Sequence, residues 1–334
     1  MIVLAPGAYL TAAFIAGALP FQPSPEESPA TSFIDAGEAS PLAPNASPSD
    51  GGVVLPAAVT DITDIFVDAG PPGLNGLPWP RAAPVVGPLD IGAVAALSVG
   101  TVALQLTYKQ PTTPNWSGGI LFDDWVRRVL RLTSASARAA VASLSDFMLY
   151  GLAALPFLDA WLGAGLTYGR SDVAWKLTIL DAEALLSTTF VTLGGQHLTL
   201  RARPFVTLCA HQPTASECTD GSAQDTSFPS GHTAVAFTVA LLECVNHAHL
   251  DTDHSGWNGV ACPVTLAAAG LTGLMRIASD RHYASDVIVG GLIGTGIGYL
   301  VPTLHFAVTS EHPTTAVIPV MGPGYAGLAL SGGF

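Results

Sequence analysis

Six long apolar runs follow residue 88, and they limit the folds that this chain can adopt. The runs are Ile91–Thr107, Phe147–Tyr168, Leu177–Gly195, Thr233–Val245, Val260–Met275 and Val287–Val308. A helix needs about 20 apolar residues to cross a bilayer, with about 17 as a lower limit, and the first, second and last runs reach that length. We predict an all-α bundle of about six transmembrane helices. The alternative is a secreted helical domain that lies against a membrane.

The composition favours a membrane protein over an ordinary soluble enzyme. Only 11% of the 334 residues are charged and the mean hydropathy is +0.45, whereas soluble domains carry about 25% charged residues. The formal net charge of −13 argues against a nucleic-acid partner, because a phosphate backbone is met by clustered lysine and arginine. We therefore expect a membrane environment and no nucleic-acid ligand, and the sequence identifies no protein partner.

Four carboxylates interrupt the apolar runs. Asp159 lies in the second run, Asp181 and Glu183 lie in the third, and Glu243 lies in the fourth. A charge in lipid is costly unless it faces the inside of a bundle. We therefore expect these side chains to face the bundle interior.

Composition divides the chain into four segments. Residues 1–20 are apolar and end in small residues, as a secretory signal does, but they lack its positively charged start. A signal peptide, a signal anchor and a wrongly chosen start codon all remain open. Residues 21–88 are rich in Pro, Ser, Ala, Gly and acids, which predicts a disordered or extended tail. Residues 89–308 hold the bundle, and residues 309–334 form a C-terminal tail.

An amphipathic stretch, LFDDWVRRVLRL, separates the first two runs. On a helix, Phe122, Trp125 and Val129 share one face, and most of the arginines lie elsewhere. This pattern predicts either an interfacial helix or a solvated surface helix.

Basic residues and histidines collect at the ends of three predicted helices. The third helix ends at Arg203-Pro204, the fourth opens with the stretch FPSGH, and the fifth ends with MRIASDRHYASD. Because successive helices alternate in direction, these three segments meet on one membrane face. The residues brought together are Arg203, His232, Arg276, His282 and Asp286.

Such a cluster suits the cleavage of a phosphate ester. Converging guanidinium groups bind the oxygens of a phosphate bidentately, and a helix start at Ser230-Gly231 adds free N–H groups. Two histidines supply a nucleophile and a proton for the leaving group. His282 and Asp286 are four residues apart, so the carboxylate can orient the ring, and His232 is left as the acid.

These residues resemble the type 2 phosphatidic acid phosphatase superfamily, which also includes bacterial acid phosphatases and vanadium haloperoxidases. Its pattern is a Lys, six residues, Arg-Pro; then Pro-Ser-Gly-His; then an Arg, five residues, a His, three residues and an Asp. The matching residues here are Arg203-Pro204, Pro229–His232, Arg276, His282 and Asp286. Two positions depart from the family. Gln196 stands in place of the Lys, and Met275 stands where a Ser usually precedes the Arg of the third motif. Arg201 offers a way to compensate for the lost charge.

The resemblance implies a role for each residue. His282 forms a phosphohistidine, Asp286 orients it, and His232 is the general acid. Arg203, Arg276, Ser230, the Gly231 amide and Gln196 form the phosphate cradle. No metal or other cofactor is implied for a phosphatase.

We therefore predict a phosphatase acting on phosphate monoesters of a phospholipid, or on a polyprenyl diphosphate. The alternatives are a vanadium-dependent haloperoxidase, which would hold vanadate in the cradle, and a non-catalytic envelope protein that binds lipid phosphate.

The cysteines bear on which side of the membrane holds the site. Cys209 and Cys218 enclose a short loop between the first two motifs, and we expect a disulfide there and an active site facing the periplasm or exterior. We predict that Cys244 and Cys262 are free thiols in the core. The stretch NHAHLDTDHSGW, with His247, His249 and His254, predicts a solvated loop on the opposite face.

Overall fold

The computed structural model describes residues 83–109, 113–209, 211, 213, 216–219, 223–250, 257–307, 316–322 and 325–331. The signal-like segment 1–20 lies outside the described residues. Residues 21–82 of the predicted tail at residues 21–88 also lie outside the described residues, as does His254. Residues 83–87 lead without regular structure into the first described helix.

The described chain is built mainly from helices. In chain order they are α1 Pro88–Thr107, α2 Asp123–Leu130, α3 Ala135–Ala160, α4 Ser171–Thr199, α5 Val206–Cys209, α6 Ser216–Thr219, α7 Gly231–Leu250, α8 Trp257–Ala278 and α9 Ala284–Ala307. A π-helical segment, Trp161–Thr167, continues α3. Within the described ranges, six helices are long and apolar enough to cross a membrane: α1, α3, α4, α7, α8 and α9. The predicted all-α bundle of about six membrane-spanning helices is confirmed.

A small antiparallel hairpin follows the bundle, in the segment predicted as a C-terminal tail. Strand β1 is Ala316–Gly322 and strand β2 is Tyr325–Ser331, with Ala316 opposite Ser331 in the register.

Helix α7 forms the centre of the bundle. It packs against α3, α4, α8 and α9. Of its apolar stretch, 72% is buried inside the protein, whereas 6% of that of α1 is buried. Val239, Ala240 and Leu242 on α7 are fully buried. The central helix therefore fixes the position of whatever stands at its two ends.

Three glycines bring α9 close to α7. A Cβ atom added to Gly294 would lie 2.0 Å from the carbonyl oxygen of Ala234, and one added to Gly290 would lie 2.4 Å from that of Ser230. Gly298 meets the backbone of Thr238 in the same way. Small residues spaced by four let two helix backbones approach in a membrane. This contact holds the first turns of α7, where His232 stands, against α9.

The carboxylates of the apolar runs lie against the protein interior. Asp181 and Glu243 are fully buried. The side chains of Asp159 and Glu183 are 29% and 19% exposed. This burial agrees with the expectation that charged side chains in a membrane-spanning helix face the bundle interior, because exposing a charge to lipid is costly.

Two disulfides link the four cysteines. Cys209 is bonded to Cys218, as predicted. Cys244 of α7 is bonded to Cys262 of α8, so the interpretation of these two as core thiols is wrong. The helices place the two Cα atoms 4.4 Å apart, which a separation of 18 residues in the sequence does not reveal.

The prediction of a solvated histidine loop is also wrong for the part of that stretch that the structure describes up to Leu250. His247 and His249 belong to α7, which continues to Leu250. His247 is only 7% exposed and lies beside Glu243 and Asp159. The sequence did not predict this last part of α7, because its polar residues and histidines interrupt the apolar pattern of the rest of the helix.

Candidate active site

The polar residues selected from the sequence meet at one end of the bundle. Gln196 stands near the end of α4, His232 in the first turn of α7, Arg276 near the end of α8 and Asp286 in the first turn of α9. His282 lies in the short turn between α8 and α9 and is 2% exposed.

The ring of His282 is held by a backbone carbonyl. Its Nδ1 atom lies 2.7 Å from the carbonyl oxygen of Ser227, and a carbonyl oxygen only accepts, so Nδ1 carries the proton. The lone pair of a neutral ring is then on Nε2. Burial lowers the pKa of His282 well below its usual range, and the charges of Arg203 and Arg276 lower it further. The ring is therefore neutral at pH 7, as a nucleophile must be.

Asp286 supports His282 through Ser227 rather than by a short direct bond. The Oδ2 atom of Asp286 is 3.8 Å from Nδ1 of His282. The same oxygen accepts from the Ser227 hydroxyl at 2.6 Å and from the Tyr283 amide at 2.8 Å. Because the Ser227 carbonyl binds the His282 ring, the carboxylate fixes the group that orients the imidazole.

His232 has a partner that the sequence motifs did not identify. Its Nε2 atom lies 2.7 Å from Oδ1 of Asp146 on α3, and the same oxygen accepts from Arg276 Nη1 at 3.0 Å. Arg276 also donates to the hydroxyl of Ser145 at 2.9 Å. Asp146 therefore joins the proposed acid to one arginine of the cradle. The only sequence signal for it is an acid near the start of an apolar run.

Two arginines of this site keep a donor that no described residue accepts. Arg203 donates from Nη2 to the Thr226 hydroxyl at 3.0 Å. The buried Nε atoms of Arg203 and Arg276 have no hydrogen-bond partner within the described residues. Burial, and next the charge of Arg281, lower the pKa of Arg203 to about 10, which still leaves it cationic at pH 7. These donors suit an oxyanion, because a buried donor left unpaired is costly.

The loop before α7 completes the cradle. A cis peptide bond joins Phe228 to Pro229. The hydroxyl of Ser230 lies 3.0 Å from that of Thr233. The first amides of a helix have no intrahelical acceptor, and Gly231 begins α7, so its N–H is suitably placed to bind an anion.

Gln196 touches this loop. Its Nε2 atom donates to the Pro229 carbonyl at 2.9 Å and would lie 3.6 Å from a Cβ atom added to Gly231. The amide thus occupies the edge of the cradle and holds the loop that carries His232.

Arg201 cannot compensate for the missing lysine, contrary to the possibility raised by the sequence. It is fully buried and donates to Asp286 at 2.5 Å and to Asp123 at 2.8 Å. Its guanidinium lies between the rings of Trp116 and Tyr283, at 4.0 and 4.3 Å from their centres. Every one of these contacts ties Arg201 to the scaffold around Asp286.

Helix α2 holds the turn that carries His282. Arg127 binds both carboxylate oxygens of Asp280, at 2.6 and 2.7 Å, and Arg131 binds the second at 2.8 Å. Asp280 has a positive φ of 61°, a strained backbone that these bonds stabilise.

The apolar side chains of α2 point away from the protein. Trp125 and Val129 are 61% and 60% exposed, and Leu121 just before the helix is also exposed. This arrangement matches the interfacial alternative of the sequence analysis rather than the solvated one, because an exposed apolar face beside membrane-spanning helices suits lipid.

Comparisons with known proteins identify a family that this chain resembles. The family model of the PAP2 superfamily matches residues 179–310. The chain is 33% identical over 132 residues to lipid A 1-phosphatase of Porphyromonas gingivalis, covering 40% of this chain and 24% of that protein. It is 30% identical over 142 residues to the Homo sapiens phospholipid phosphatase-related protein type 1, covering 36% and 44%. The chain thus spans less than half the length of either relative.

Among solved structures, the chain resembles a transmembrane PAP2 type phosphatidylglycerolphosphate phosphatase from Bacillus subtilis. The TM-score is 0.42 at 15% sequence identity, over 67% of this chain and 98% of the other. The resemblance predicted from the three motifs is confirmed by the family match, whose range includes α7, α8 and α9. Residues 179–310, which hold both histidines of the site, are the part of this chain that matches the PAP2 superfamily model.

Proposed function

We propose that the chain hydrolyses phosphate monoesters of a membrane lipid through a phosphohistidine. The observation that carries this proposal is the state of His282: a buried neutral ring with its proton fixed on Nδ1, beside two arginines whose Nε donors have no partner among the described residues. A free Nε2 lone pair next to cationic donors is the arrangement that attack on phosphorus requires.

The proposed reaction has two displacements. In the first, Nε2 of His282 forms a bond to phosphorus as the bond to the alkoxide breaks, and His232 gives a proton to the departing oxygen. In the second, a water molecule gives a proton to His232 and attacks the phosphohistidine, which releases phosphate and restores both rings. Arg203, Arg276 and the Gly231 amide stabilise the charge on the phosphoryl oxygens in both steps. These steps use side chains and water, with no resident metal.

A lipid is the proposed substrate class. The site lies at one end of a membrane-spanning bundle, beside the exposed apolar face of α2. One relative is named for action on lipid A. Phosphatidic acid, phosphatidylglycerol phosphate and a polyprenyl diphosphate all present a phosphate on an apolar anchor.

Phosphate release from these three compounds by the purified chain in detergent tests the proposal. We expect turnover by the native chain and by His211→Gln, an exposed histidine near the same loop, and none by His282→Ala. Retained turnover in His282→Ala would exclude the phosphohistidine route. Halide oxidation in added vanadate and peroxide, without phosphate release, would favour the haloperoxidase. Phosphate binding with neither activity would favour a lipid-phosphate-binding protein.

We further propose that the site faces the periplasm or exterior, which the disulfide Cys209–Cys218 beside it supports. A membrane-impermeant maleimide should then label His211→Cys in intact cells. Ser171→Cys, at the start of α4 and so at the opposite end, should be labelled only after permeabilisation. The reverse pattern would place the site inside.

A further inference from the structure

A second polar cluster lies at the opposite end of the bundle. His247 Nε2 of α7 is 3.3 Å from Asp159 Oδ2 of α3 and 3.2 Å from Glu243 Oε2, one turn earlier on α7. One ligand atom from each of the three residues lies within 4.8 Å of the others. His247 lies fifteen positions after His232 on α7, which is about 22 Å along the helix axis. The cluster is therefore distinct from the phosphate cradle.

The cluster contains buried polar atoms that the described residues do not satisfy. Glu243 is 1% exposed, and its Oε2 atom makes no hydrogen bond within the part of the chain that the structure describes. Asp181 is fully buried next to it. Asn246 donates to one Asp181 oxygen at 3.2 Å, and the other has no partner in the same described part. Buried oxygens without partners are costly, so each one needs an explanation.

The charges at this end are unbalanced. Asp159, Asp181 and Glu243 supply three carboxylates, and among the described residues no lysine or arginine forms an ion pair with them. Carboxylates buried in a membrane bundle require a counter-charge nearby. Here, a bound cation would supply that charge and also bind the unpartnered oxygen of Glu243.

We propose that this cluster binds one divalent first-row metal ion, with Zn²⁺ and Mn²⁺ as the best fits. Asp159 Oδ2, Glu243 Oε2 and His247 Nε2 are the ligands, and the neighbouring Asp181 adds negative charge. An imidazole combined with carboxylates suits these ions, whereas Ca²⁺ and Mg²⁺ sites are built from oxygen atoms. The ion joins α3 to α7 and takes no part in the chemistry at His282.

The binding of added metal to the full chain tests this site. Tag-free protein in detergent is stripped with EDTA, dialysed and titrated with Zn²⁺ or with Mn²⁺ in a calorimeter, and its metal content is measured after gel filtration. We expect one ion per chain. Glu243→Gln should weaken the affinity by about tenfold or more. Asp172→Asn is the matched control, because Asp172 pairs with Arg170 at the same end and outside the cluster, and its affinity should equal that of the native chain.

A second variant keeps the test decisive if Glu243→Gln does not fold. Asp159 is 29% exposed, so Asp159→Asn should retain the fold, with the native elution volume, while losing affinity by a similar factor. Metal should also raise the Tm of the native chain more than that of Asp159→Asn. A native chain that binds neither ion would overturn the proposal and leave a protonated His247 as the counter-charge. Unchanged affinity in both variants would overturn it as well.

Discussion

The two ends of helix α7 carry the same kinds of side chain in opposite electrostatic settings. At its start, His232 and His282 lie among Arg203 and Arg276, and the Nε donors of both arginines have no partner among the described residues. At its other end, His247 lies among Asp159, Asp181 and Glu243, and the unpartnered atoms include carboxylate oxygens. In our proposals, the first end therefore binds an anion and the second a cation. The neighbours of a histidine, rather than the histidine itself, decide which chemistry it serves.

Asp146 is the carboxylate that most sharply tests this comparison, because it is an acid at the anion-binding end. It positions His232 and Arg276 at 2.7 and 3.0 Å. Asp146→Asn should lower kcat by about 10²-fold or more, since it removes the partner of the general acid. The loss should be greatest for substrates with poor leaving groups, which depend on the proton. Asp172→Asn serves as the control, and a loss equal for all leaving groups would reduce Asp146 to a structural role.

The close contact between α9 and α7 should control both ends together. In Gly294→Ala the new Cβ atom meets the Ala234 carbonyl at 2.0 Å, and overpacking of this kind costs about 3 kcal/mol. Gly296→Ala, on the same helix, meets nothing within 4 Å and gains up to about 1 kcal/mol of helix propensity.

Thermal unfolding in detergent compares these two glycine variants. We expect a lower Tm, weaker phosphatase activity and weaker metal binding in Gly294→Ala alone. Equal Tm values would show that the helices can separate without cost.

The sequence predicted the bundle because six apolar runs have few alternatives, and it predicted that the polar residues meet at one end because three spaced motifs lie at alternating helix ends. It did not predict Asp146 or the disulfide between Cys244 and Cys262. These contacts join different helices, and no spacing along the chain encodes them. The role of Arg201 was hidden for the same reason, since this loop residue has its partners Asp123 and Asp286 on two separate helices.

Gln196 is a neutral donor among the charged groups at the start of α7, where it contacts the Pro229 carbonyl. Gln196→Lys should raise kcat/KM on a phosphate ester by about tenfold, because a charge-assisted bond to phosphate is about twice as strong as a neutral one. Vanadate inhibition should tighten in parallel. His211→Lys adds a charge at the same end outside the cradle and should change neither quantity. A slower Gln196→Lys variant would show that the bond to Pro229 at 2.9 Å matters more than a new charge.

The smallest expected effect concerns the pH dependence of His282. Burial and then the charge of Arg203 hold its pKa well below the usual value of about 6.5. Protonation of the nucleophile should therefore reduce kcat/KM only well below that pH. Arg203→Gln removes a cation that disfavours the imidazolium, so the pKa of His282 should rise and the loss of activity on acidification should begin at a higher pH.

The native and variant profiles are measured on one substrate, so the ionisation of its phosphate affects both equally and the shift between them belongs to the protein. On acidification we expect the variant to lose activity at a higher pH than the native chain, whatever its rate at pH 7. Parallel profiles would mean that Arg203 does not act on His282, and the electrostatic contrast between the two ends of α7 would then rest on Arg276 alone.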